Sequence, residues 1–156
     1  MSRYFLARYS EYVDNGDLVT NWGLVVEGFA KTQRVLQADI EASDLSPIWF
    51  EVMLRLVRTP GHRLPMTQLA DEVLFSSGGF TKLADRIQKA GYVERIGCPS
   101  DRRVTWITLT DDGEKVINAA LKRHVACLRA NVLEPLGELA LTELGQHMRT
   151  LRDQHA

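Results

Sequence analysis

With 156 residues, 45% of them hydrophobic and 25% charged, the chain is long enough to bury one full core and has ordinary globular composition. A formal net charge of −1 excludes a nonspecific nucleic-acid coat protein, and two cysteines, Cys98 and Cys127, without CxxC spacing exclude a disulfide scaffold. No apolar run approaches the roughly 20 residues of a membrane-spanning helix, and early arginines interrupt any signal-peptide pattern, so a cytoplasmic protein with no membrane partner is expected.

Beyond a polar stretch ending near Asp17, the residues Leu18, Trp22, Val25, Val26, Phe29, Leu36 and Ile40 recur at helical spacing and predict a first helix over 18–43. Ser46 followed by Pro47 reads as an N-cap with proline at the first helical position. The second helix carries Ile48, Trp49, Val52, Met53 and Leu56 and stops near Thr59-Pro60-Gly61. A short third helix over 67–74 turns Leu69, Ala70, Val73 and Leu74 inward. After a gap of about three residues, the turn of a helix-turn-helix, a fourth helix starts at Ser76 or Ser77. It buries Phe80, Leu83, Ala84, Ile87 and Ala90, and ends at Gly91 as a left-handed cap residue.

Residues 92–96 and 104–109 are β-prone runs joined by a Gly97-Cys-Pro-Ser-Asp-Arg-Arg tip, which predicts a two-stranded wing. Thr110 caps a fifth helix carrying Val116, Ile117, Ala120, Leu121, Val125, Leu128 and Val132, until Pro135 and Gly137 break it. A last helix over 138–153 contributes Leu144, Met148 and Leu151. The fold class expected is mainly α with a small β-wing, a winged helix-turn-helix lobe flanked by N- and C-terminal helices. No internal repeat is present.

Charge is concentrated where this lobe would meet a ligand. Residues 82–103 hold six basic side chains against three acidic ones, so the rest of the chain is acidic by compensation. In the fourth helix Ser77, Gly78, Gly79, Thr81, Lys82, Asp85, Arg86 and Lys89 are not committed to the core. Small hydroxyl residues and a lysine near a helix N-terminus suit base edges and phosphates in a major groove. At the wing tip Arg102 and Arg103 are placed to enter a narrow, electronegative minor groove, with Asp101 holding an arginine by a charge-assisted bond. Double-stranded DNA is therefore the expected partner.

Three segments together carry a family likeness: Leu69-Ala-Asp-Glu, the run from Gly79 to Arg95, and Asp101-Arg-Arg with Leu109-Thr-Asp-Asp-Gly. In order and spacing nearly the whole chain resembles MarR-type (multiple antibiotic resistance regulator) winged helix-turn-helix transcriptional regulators. The resemblance implies that Asp101 braces the wing, that Arg103 is the minor-groove arginine, and that Arg102 lies nearer the phosphates. It matches Asp85 and Arg86 to the family's Asp-Arg pair in the recognition helix. It further implies a single domain over 1–156, with dimerisation helices over 18–43 and 111–153 and a DNA-binding lobe over 46–110. A homodimeric repressor on a pseudo-palindromic operator, released by a small aromatic or phenolic effector, is the expected behaviour. Apolar stripes left over on the terminal helices agree, because pairing them across a two-fold axis would bury them.

Trp22, Trp49 and Met53, with His62, are the candidates to line an effector cleft. Cys98, beside Arg95 at the start of the wing, is the candidate for an alternative oxidant-sensing regulator. His124 and Cys127 stand at i, i+3 spacing, but two ligands do not make a metal site, so neither metal nor cofactor is expected. A winged-helix protein-interaction module without DNA binding is the other alternative, disfavoured by paired arginines at the tip. An enzyme is not expected. The chain lacks GxSxG, P-loop, Rossmann and HExxH patterns, and its histidines show no nucleophile-base arrangement.

Overall fold

The computed structural model describes residues 3–43, 45–98, 101 and 103–154, the side chains of residues 3–14 and of Ser77 excepted. Its longest element is α1 (Arg3–Glu41), about 58 Å of helix at 1.5 Å per residue. It begins fifteen residues before the apolar periodicity does. No proline interrupts the polar stretch, and Leu6, Ala7, Arg8 and Glu11 are good helix formers, so the helix extends through it.

Ser46 caps α2 (Pro47–Val57), its hydroxyl accepting from the Trp49 N–H at 3.3 Å, with Pro47 in the first turn as expected. A 3₁₀ turn (Pro60–His62) follows and feeds a short strand, β1 (Arg63–Pro65). The sequence reading missed this strand, because three residues carry no alternation. Its proline is tolerated at a sheet edge: the strand order is β1-β3-β2, antiparallel throughout, with β2 (Val93–Gly97) and β3 (Thr105–Leu109) forming the expected wing.

The helix pair consists of α3 (Met66–Glu72) and α4 (Ser77–Lys89). Ser76 resolves the choice of cap, accepting from the Gly79 N–H at 3.3 Å. Phe80, Leu83, Ala84 and Ile87 of α4 are fully buried, as expected, but Ala90 is exposed. Leu74 also departs from expectation. It is 93% exposed with φ of 55°, because α3 ends two residues earlier than predicted and the turn needs a left-handed residue there. For an L-residue that conformation costs about 1–2 kcal/mol.

The long C-terminal arm runs through α5 (Asp111–Leu128), a π-helical segment (Arg129–Leu133), a short α6 (Glu134–Leu136) and α7 (Glu138–Gln154). Three acidic residues in the first turn of α5 suit its positive end. Among them the Asp112 carboxyl is held below its ordinary value by a hydrogen bond and charge from Lys115. Asn131 Nδ2 donates to the Cys127 carbonyl beside the π segment.

One core serves the lobe. It joins Ile40 at the end of α1, Phe50, Val52, Met53 and Leu56 of α2, the helix pair, Val93, Ile107 and Leu109 of the sheet, and Ile117 and Ala120 of α5. By contrast Leu18, Val19, Trp22, Val26 and Phe29 of α1, and Leu139 and Met148 of α7, stay exposed.

The lobe meets α5 at a tight joint. Thr110 donates its hydroxyl to the Gly91 carbonyl at 2.6 Å and its backbone N–H to the Tyr92 carbonyl at 3.1 Å. The same hydroxyl caps α5 by accepting from the Gly113 N–H at 3.0 Å. Gly91, with φ of 83°, takes the left-handed position that ends α4. A Cβ on Gly113 would lie 2.0 Å from the Tyr92 carbonyl oxygen, so no side chain fits. Replacing Gly113 by alanine is expected to lower stability by about 2–3 kcal/mol through overpacking against backbone. The measure is the urea midpoint at unchanged m-value; a midpoint within error of the parent would contradict the tight contact.

Candidate nucleic-acid interface

The core commits one side of α4 inward and leaves Lys82, Asp85, Arg86 and Lys89 exposed, with Gly79 and Thr81 half-buried at its N-terminal end. Lys82, Arg86 and Lys89 form no ion pair among the described residues. Three cations are thus free to meet an anionic ligand. A Cβ at Gly78 would meet nothing within 4 Å, so α4 is open to close approach there, whereas one at Gly79 would come 3.0 Å from the capping Ser76 hydroxyl. Ser77 begins the helix, and its side chain lies outside the described residues.

At the wing, Asp101 Oδ1 accepts from both the backbone N–H of Arg103 at 3.0 Å and its Nε at 3.3 Å. The carboxylate therefore orients Arg103 at its root while its side chain stays 92% exposed. Arg102 lies outside the described residues. Arg103 and Thr81 line one small cleft of about 170 Å³ together with Met66, Thr67, Phe80 and Thr105. The wing arginine and the N-terminal half of α4 are thereby neighbours, as a two-groove reader needs.

Asp85 differs from its neighbours. Its Oδ1 receives Nη1 of Arg95 at 2.6 Å, and Nη2 of the same guanidinium donates to the Thr81 carbonyl at 3.1 Å. Arg95, on β2, was not among the candidates from sequence. An isolated arginine in a strand carries no signal for a partner ten residues earlier.

The candidate effector residues do not converge. Met53 is fully buried in the core, Trp49 packs edge-on against Tyr92 with ring centres 6.1 Å apart, and Trp22 is 56% exposed on α1. His62 faces Glu114 of α5, its Nδ1 3.3 Å from the carboxylate. A cleft of about 400 Å³ does open between α1, α2 and α5. Its lining includes Gln33, Leu36, Gln37, Phe50, Glu51 and His124, and none of Trp22, Trp49, Met53 and His62. Sequence periodicity located the aromatic residues but not which helix faces would stand apart.

Cys98 is half-buried, its N–H donating to the Val104 carbonyl at 2.9 Å across the wing. Among the described residues no group of three or more His, Cys, Asp or Glu is placed to hold a metal ion, and no helix is long and apolar enough to cross a membrane.

Comparison with known proteins places this geometry. A profile of the MarR family matches residues 43–104. The regulator PecS of Dickeya dadantii is 25% identical over 151 residues, covering 86% of this chain and 90% of PecS. An HTH-type transcriptional regulator of Bacillus cereus is 34% identical over 107 residues, covering 67% of this chain and 68% of that protein. The crystal structure of Sco3205, a MarR family transcriptional regulator from Streptomyces coelicolor in complex with DNA, superposes with a TM-score of 0.79. Its sequence is 26% identical, with 86% of each chain covered. Winged lobe, long flanking helices, the braced wing arginine and these similarities agree, and the chain belongs to the MarR family of transcriptional regulators.

Proposed function

We propose that this regulator binds a pseudo-palindromic DNA operator as a homodimer, through α4 in the major groove and Arg103 in the adjacent minor groove. The observation that carries this reading is the placement of Arg103. It is rooted by Asp101, exposed along its length, and set on the same cleft as Thr81. An arginine so held loses little freedom on entering a narrow groove. Ser77, Gly79, Thr81 and Lys82 would approach base edges and phosphates from the first turns of α4, while Arg86 and Lys89 would neutralise the backbone further along. Arg102, beside Arg103 in sequence, would add a phosphate contact. The DNA complex of Sco3205, a relative of similar fold, supports the docking.

The division of labour follows from what the core leaves out. Residues 46–110 form the reading lobe, and the apolar faces of α1 and of the arm from residue 111 to 153 would pair two copies. Half-sites then fall about one helical turn, 34–36 Å, apart. The cleft between α1, α2 and α5 would seat a small aromatic or phenolic effector. Its walls are partly apolar, and His124 keeps a buried Nδ1 with no hydrogen-bond partner among the described residues, a cost that a bound hydroxyl would relieve. Occupation there would release the operator, making the protein a repressor with no enzymatic step.

Gel shifts with duplex fragments from beside the gene's own start test the reading. Arg103→Ala is expected to weaken binding and to reduce the log–log salt slope by about one, with the protein still folded. Unchanged affinity across several salt concentrations would remove Arg103 from the interface. Lys82→Ala should cost more affinity than Lys89→Ala, since residue 82 lies nearer the helix end that enters the groove; equal losses would mean that α4 lies differently. Sedimentation is expected to show a species of twice 17.6 kDa, and a monomer alone at all concentrations would contradict the dimer.

A further inference from the structure

The guanidinium of Arg95 ties the wing to the recognition helix at two points one helical turn apart. From β2 it reaches the Asp85 carboxylate with Nη1 at 2.6 Å and the Thr81 carbonyl with Nη2 at 3.1 Å. Its side chain is only 26% exposed, against 55% for Asp85, so the arginine end of the clamp is covered while the carboxylate end stays on the exposed face of α4 that also carries Lys82 and Arg86. An acidic residue on a face that meets a polyanion is unfavourable unless it has another use. Asp85 has one, because its charge is spent on a cation from the neighbouring strand.

We propose that Arg95 is a positioning residue for operator discrimination: it fixes α4 against the wing so that the major-groove and minor-groove contacts fall in step on the duplex. This rests on the operator reading above. The link continues outward from Arg95 along β2 to Cys98, whose N–H is bonded to the Val104 carbonyl, and so to the tip where Asp101 roots Arg103. Two donors of one planar group hold two acceptors of one helix turn, which restricts both tilt and slide of α4 relative to the strand. Lysine would present a single point charge and hold one acceptor well. A helix free to tilt still attracts phosphates but presents its base-reading side chains and Arg103 out of phase.

The test uses the full chain, a duplex enriched by the wild-type protein from a randomised pool, and a shuffled duplex of the same length. The ratio of the two affinities is measured for Arg95→Ala, Arg95→Lys, Asp85→Ala and the Asp85→Ala/Arg95→Ala pair. Arg95→Ala is expected to reduce the ratio at least about tenfold, mainly by weakening the enriched duplex, with Arg95→Lys intermediate. The double variant should lose no more than the larger single loss, as for two ends of one contact. Should Arg95→Ala fail to fold, Arg95→Lys carries the same expectation in smaller measure. Equal weakening on both duplexes with a salt slope reduced by about one would overturn the proposal, since Arg95 would then be a phosphate contact. Additive losses at Asp85 and Arg95 would overturn it as well. Failure of the wild-type protein to enrich any duplex would overturn the operator reading, and the role of Arg95 with it.

Discussion

The Tyr92 carbonyl faces the first turn of α5 at a spot where only a hydrogen fits, and the placement of both halves of the molecule depends on that approach. Gly91 ends α4 one residue earlier, and Thr110 binds both the Gly91 and Tyr92 carbonyls while capping α5. The end of α4, the base of both wing strands and the start of the long arm are thus fixed within a few residues. Backbone against backbone has few alternative packings, so the joint transmits position instead of absorbing it.

Around this joint the charges divide the surface. Among the described residues the cations of α4 form no ion pair and Arg103 is rooted from one side, whereas Arg95 is paired with Asp85. Elsewhere Arg123 of α5 holds the end of α1, donating to Asp39 at 3.2 Å and to the Ala42 carbonyl at 3.1 Å. Arginine therefore takes three settings here: Arg103 is held out into solvent, Arg95 clamps strand to helix, and Arg123 fastens α5 to the end of α1. Which setting a given arginine takes is decided by its exposure and by the acceptors within its reach.

Much of the lobe was legible because local chemistry and tertiary packing agree there. The Ser46-Pro47 cap, the apolar positions of α4, Gly91 and the cap at Thr110 each have a short-range physical signature, and each occurs where that signature places it. Three features were not legible, for different reasons. Strand β1 exists only because β3 offers it an edge. The start of α1 is hidden because a polar helix has no apolar period to count. The Arg95 clamp joins residues whose nearness depends on how β2 lies over α4. In the same way Trp22, Trp49 and Met53 stand at apolar positions of their helices yet do not line the cleft near His124. Period reports which face is apolar, and the cleft near His124 arises from where α1, α2 and α5 diverge.

Leu74 stands in the helix-turn-helix turn with its backbone in a conformation natural to glycine and its side chain almost wholly in water. It gains no burial to offset that strain, so folding free energy is tied up at a side chain that lies outside the core and carries no charge. The turn is for that reason a reserve of thermal robustness, open to improvement by a residue at ease in the left-handed region, with the cationic face left chemically intact.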